Sequence, residues 1–195
     1  MSKPLTEIND VFRAAADIEA EDGILGFVDQ ITNALRAAIV PVDKIPKAVN
    51  CPLDVVEIYK ICLMLEDLCI REKGIGLSAV QVGIPYKLFL TRLEKTRFFV
   101  NCEYEKVGEN VETVEGCLSL RDENGVCRLF KVSRSSEVIV RGLELVVDGE
   151  PKFVEIEEKQ TDYAAIVSQH EIDHHNDILI SKGEEVYYAN KKTTG

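Results

Sequence analysis

The chain has 195 residues, 46% of them hydrophobic, which is enough for one buried core. Its net charge of −11, without any Lys/Arg-rich run, excludes a duplex nucleic-acid binder, which needs cations against phosphate, and no apolar run is long enough to span a bilayer. The first thirty positions are acidic, with only Lys3 and Arg13 as cations, so neither a secretory signal nor a transit peptide is expected, and six scattered cysteines fit a reducing cytoplasm better than a disulfide framework.

Residues 5–40 carry apolar positions at helical spacing, broken at Asp22-Gly23, and read as two short helices. This makes residues 1–40 an N-terminal helical extension without recognisable chemistry, followed by one main body over 41–195. Pro41, Pro46 and Pro52 punctuate the chain. After them the stripe Val55, Ile58, Tyr59, Cys62, Leu65, Cys69 predicts an amphipathic helix stopping near Lys73-Gly74, with Cys62 and Cys69 as small core residues. Gly76 and Gly83 flank a compact apolar stretch. Residues 87–93 and 97–107 then read as strands, and further short strands run to about Glu158, divided by turns at Asn124-Gly125 and Asp148-Gly149. Residues 137–145 keep the alternation of a half-buried antiparallel strand. After Gln160 the period changes to that of a helix, with Thr161 or Asp162 as N-cap, and Tyr163, Ile166, Val167, His170 and His174 share one face. The tail over 181–195 loses hydrophobic periodicity and reads as partly disordered.

Within the last helix, His170-Glu171-Ile172-Asp173-His174 is a His-Glu-x-x-His run, whose i, i+4 spacing lets both imidazoles reach one metal ion. Glu171, about 100° round the helix from His170, is placed to act on a water at that ion rather than to bind it. His175 lies about 140° from His170 and is expected at the surface or just behind the ligands. A catalytic site of this kind takes three protein ligands, so a third donor has to come from outside the helix. Cys117, in Glu115-Gly116-Cys117-Leu118-Ser119, is the candidate, against the alternative of a buried structural thiol. Gln81 is the informative residue of Gly74-Ile75-Gly76-Leu77-Ser78-Ala79-Val80-Gln81-Val82-Gly83. Its amide could donate to a developing oxyanion or only tie down a loop. No Walker lysine accompanies the glycines, so a nucleotide site is not expected.

These three segments, in this order, resemble the three signature motifs of the peptide deformylases, over most of the chain from about Pro41 to Ser181. The resemblance implies an α+β fold of antiparallel sheets packed around a central metal-binding helix, with the N-terminal helices added. It implies Cys117, His170 and His174 as ligands of one divalent ion, most often Fe2+ in this family, with Zn2+, Ni2+ or Co2+ able to substitute. Glu171 becomes the proton shuttle, and Gln81 and the Leu118 backbone N–H the oxyanion donors. Gly74, Ile75, Gly76, Tyr163, Ile166 and Val167 contact the substrate, and Glu115 pairs with Arg134. The implied substrates are N-formylmethionyl peptides, nascent chains near the ribosome, in the cytoplasm, or in a host cytoplasm if the protein is virus-encoded. The chain departs from the family pattern at His175-Asn176-Asp177, where His-Leu and a glycine are usual, at Ser78 and Cys102, and in a longer stretch between Ser119 and Arg134. Two other readings of the residues are an endopeptidase or other amidase, as in many His-Glu-x-x-His zinc proteases, and a binding module with a structural metal.

Overall fold

The computed structural model describes residues 39–186, so the two expected N-terminal helices and the last part of the tail lie outside the described residues. Helix α1, Val55–Arg71, starts where the Asp54 carboxylate accepts the backbone N–H groups of Val56 and Glu57. Its buried face is Ile58, Ile61, Cys62, Met64, Leu65, Leu68 and Cys69, the predicted stripe. The helix stops earlier than expected. Lys73, not Gly74, takes the left-handed conformation (φ 57°), and the Gly74 N–H closes onto the Cys69 carbonyl at 2.8 Å.

Two antiparallel sheets follow. The first contains β1 (Gly76–Ser78), β2 (Leu88–Arg92), β3 (Thr96–Lys106), β6 (Glu137–Asp148) and β7 (Glu150–Thr161), side by side in that order. The second contains β4 (Asn110–Arg121), β5 (Cys127–Ser135) and β8 (Glu184–Val186). Both predicted turns are present: Asp122 to Val126 joins β4 to β5, and Gly149, at φ 81°, reverses the chain between β6 and β7. The strands expected to be short are long, 12 residues each for β4, β6 and β7. Charged residues such as Glu112 in β4, Arg141 and Glu144 in β6 and Glu157 in β7 interrupt their apolar positions, which hides the continuity in a hydropathy reading.

Helix α2, Asp162–His175, lies between the sheets and touches β1, β2, β3 and β5 to β7. One core packs α1 against β1 and β2. A second seats Ala165 and Ile172 of α2 on Phe89, Phe99, Cys102, Val138 and Val140, and a third joins Cys117, Leu120, Phe130 and Ile180. The α+β class, the antiparallel sheets and the central helix are as expected. β8 was not: three residues of the supposed tail pair with β5, Val186 opposite Leu129. Such a strand is fixed by its partner rather than by its own pattern. Among the described residues no helix is long and apolar enough to cross a membrane.

Candidate metal centre

α2 delivers three groups to one place because its last turns are sealed on nearly every side. Val167, Ser168, Gln169 and every residue from Glu171 to His175 are buried. Thr161 occupies the N-cap position without a side-chain cap, and the helix is anchored instead by Gln169, which exchanges hydrogen bonds with the Ser135 backbone at 2.9 and 2.8 Å. The i, i+4 pair His170 and His174 stand edge to face, 5.0 Å between ring centres.

Cys117 reaches them from β4. The β4–β5 register holds to Gly116 opposite Leu129 and resumes at Arg121 opposite Cys127, so Cys117, Leu118, Ser119 and Leu120 fall in a bulge, a device that re-aims side chains. Its Sγ lies 3.4 Å from His174 Nε2, and the ligand atoms of Cys117, His170 and His174 all lie within 4.8 Å of one another. Tetrahedral bonds of about 2.3 Å to sulfur and about 2.0–2.1 Å to nitrogen put such donors about 3.5 Å apart, so the cluster fits one ion with little adjustment. Electrostatics agree. Burial alone would lower His170, but hydrogen bonds to Cys117 and Glu115 lift it to about 10, the mark of surroundings that favour positive charge. Burial, then repulsion from His170, His175 and Arg134, pushes His174 down, which favours the neutral ring with one nitrogen lone pair available to a metal ion.

Behind the cluster stands a chain of ions. His170 Nδ1 lies 2.8 Å from Glu115 Oε2, and Arg134 grips Glu115 with two bonds of 2.8 and 2.9 Å. Arg134 also donates to Asp173, which accepts the Tyr104 hydroxyl at 2.8 Å. Burial raises the Glu115 carboxyl, but Arg134 and His170 outweigh it and hold the group at about 2. The Glu115–Arg134 pair was expected. Asp173 and Tyr104 were not singled out; Asp173 stands inside the third motif and was legible there, whereas nothing in the strand pattern marks Tyr104.

Glu171 is buried beside the cluster, with Oε2 lacking a partner, and burial raises it to about 7. Gln81 sits in a 3-10 turn, Ala79–Val82, where its Oε1 accepts the Ser78 N–H at 2.9 Å. That fixes the amide orientation and points Nε2 at Cys117 Sγ (3.3 Å) and Ser119 Oγ (3.4 Å). A cavity of about 470 Å³ opens onto the cluster. Gly74, Ile75, Gly76, Gln81, Cys117, Leu118, Tyr163, Ile166, Val167, His170 and Glu171 all line it, and His174 lies behind. Cys127, Thr113, Glu72 and Lys73 also line it and were not anticipated. Tyr163 is exposed, so the apolar stripe of α2 faces this cavity rather than a sealed core.

Of the two places expected for His175, at the surface or just behind the ligands, the surface is excluded. His175 is not at the surface but 5% exposed, its Nε2 2.9 Å from Ser78 Oγ and its ring tilted against Phe89. The angular argument assumed that a helix has a wet side, and the end of α2 has none.

A family model described as polypeptide deformylase matches residues 29–184. The chain is 40% identical over 108 residues to a peptide deformylase of Pseudothermotoga lettingae, a stretch that is 54% of this chain and 56% of that protein. It is 31% identical over 157 residues to a peptide deformylase of Buchnera aphidicola subsp. Schizaphis graminum, 78% of this chain and 80% of that one. The crystal structure of peptide deformylase from Thermotoga maritima is similar with a TM-score of 0.61 at 27% identity, over 73% of this chain and 90% of that one.

Proposed function

Because the chain belongs to the polypeptide deformylase family, we propose that it hydrolyses the formamide at the N-terminal methionine of newly made polypeptides, releasing formate and a free amine. The observation that carries this reading is the convergence of Cys117, His170 and His174 beside a buried, partly unpartnered Glu171. A divalent ion held by that thiolate and two imidazoles would supply Lewis-acid polarisation and a lowered pKa for water. A soft thiolate beside imidazoles suits Fe2+, the ion we assign, and equally admits Zn2+, Ni2+ or Co2+.

The chain's own groups do the rest. Glu171, lifted towards neutrality by burial, takes a proton from the attacking water and returns it to the departing methionine nitrogen. The Gln81 Nε2–H and the Leu118 backbone N–H donate to the formyl oxygen as it gains charge. Gln81 is prepared for this by the Ser78 N–H, which occupies its carbonyl oxygen. Ile75, Tyr163, Ile166 and Val167 hold the methionine side chain, and Gly74 and Gly76 line the same cavity beside the peptide backbone. The substrates are then formyl-methionyl nascent chains in a cytoplasm, and the extension is shorter than residues 1–40, because the family match begins at residue 29 and the Val40 N–H bonds the Gln81 carbonyl at 3.0 Å.

The test is an anaerobic assay on formyl-Met-Ala-Ser with metal analysis of the same sample. Formate release by the wild type, with about one ion per chain, and loss of turnover in Glu171→Gln with the ion retained, are expected. A metal-loaded chain that releases no formate, or a Glu171→Gln variant as active as the wild type, contradicts the proposal.

A further inference from the structure

Helix α2 ends in a second buried histidine that the proposed chemistry does not use, and its one short side-chain contact leads to the turn that carries Gln81. His175 Nε2 lies 2.9 Å from Ser78 Oγ, both residues being buried, and the Phe89 ring covers the imidazole at 5.9 Å between centres. Ser78 in turn determines where Gln81 sits. It is the N-cap of the 3-10 turn, its hydroxyl accepts the Gln81 backbone N–H, and its own N–H donates to Gln81 Oε1 at 2.9 Å. The hydroxyl has one proton and two lone pairs, so it can hold His175 and Gln81 together. His175 Nδ1 is buried without a partner, and burying a polar ring in this way is costly against an aliphatic side chain of similar size. The contacts that offset that cost are the bond to Ser78 and one to the Leu88 backbone carbonyl.

We propose that His175 is a positioning residue. Its hydrogen bond to Ser78 is a strut between the end of the metal-binding helix and the Gln81 turn, and it fixes the distance from the Gln81 amide to Cys117 and to the reacting oxygen. The idea rests on the reading of Gln81 as an oxyanion donor. It follows from geometry that crosses 97 residues of sequence. Gln81 would act mainly on charge developed in the transition state, so loosening it lowers kcat and leaves KM nearly unchanged.

The experiment uses the full chain, loaded with Co2+ under anaerobic conditions, and compares His175→Leu, His175→Gln, Gln81→Ala and the Gln81→Ala/His175→Leu double variant. His175→Leu is expected to lower kcat about tenfold with KM within about twofold, the size of one lost neutral hydrogen bond. His175→Gln, whose amide reaches the Nε2 position, restores most of it. In the Gln81→Ala background the same leucine substitution has no further effect, an outcome that a merely structural histidine would not give. The thiolate-to-cobalt absorption band supplies a readout independent of turnover. Gln81 Nε2 lies 3.3 Å from Cys117 Sγ, so His175→Leu shifts the band in the same direction as Gln81→Ala. Ser78→Ala breaks the contact from its other end and replaces His175→Leu if that variant does not fold. A leucine variant with wild-type kcat and an unmoved band overturns the strut, as does an equal loss in both backgrounds. If the wild type releases no formate, the proposed function fails instead, and the band comparison still decides on His175.

Discussion

Glu171 has room for its carboxylate only because residue 76 carries no side chain, since a Cβ there would overlap the Glu171 side chain. Gly76→Ala should therefore displace the Glu171 carboxylate, the proposed proton shuttle, while leaving Cys117, His170 and His174 untouched. The expected result is a fall in kcat of about 100-fold with the metal content unchanged, measured on the same preparation. Gln81→Ala tests the oxyanion role separately: kcat should drop about 10²–10³-fold, with the fold retained as judged by thermal unfolding. At this scale the sequence was most informative where chemistry demands a spacing. His170 and His174 were legible from one helical turn, Gln81 from an amide among apolar neighbours, and Cys117 became readable beside them. His175 was not, because its environment depends on how many elements wrap the helix end, and no local pattern records that.

Single elements explain why the cluster is rigid. The bulge in β4 turns Cys117 towards α2, and β5 supplies Arg134, which clamps Glu115 of β4 to Asp173 of α2. The three-stranded sheet and the helix thus meet at one guanidinium that is 4% exposed. Arg134→Met removes the cation from between two buried carboxylates, and unpaired buried charge typically costs about 3–5 kcal/mol, to be read from denaturant unfolding. Because Glu115 orients His170, the same variant should bind its metal about 10–100-fold more weakly, measured by competition with a chelator. Elements whose existence rests on their own period, α1, α2 and β3, were legible to within a few residues. β8 was not, since a three-residue strand owes its shape to the edge it joins. Asp173 was visible in its motif, but its bridging role depends on Arg134, which stands 39 positions away.

At the scale of the described residues, the two sheets close round α2 and leave a cavity beside Cys117 and Glu171. The same closure buries thiols. Burial raises Cys51, Cys69 and Cys102 to about 12, and Cys62 well above the ordinary thiol value of 9.0. Folded-state values above the unfolded ones mean that the unfolded chain loses protons first as pH rises. The stabilising contribution is therefore complete below about pH 9 and is lost towards about pH 12. Stability measured by urea unfolding should fall across that window, and Cys62→Ala should flatten the fall. The overall α+β arrangement was expected from the family resemblance, whereas the division into a five-stranded and a three-stranded sheet was not, because β4 and β5 leave the first sheet without any local mark. The centre they enclose is most directly tested by X-ray absorption on the metal-loaded full chain. One sulfur at about 2.3 Å with two imidazole nitrogens at about 2.0–2.1 Å is the predicted shell. A shell without sulfur, or one unchanged in Cys117→Ser, would contradict it.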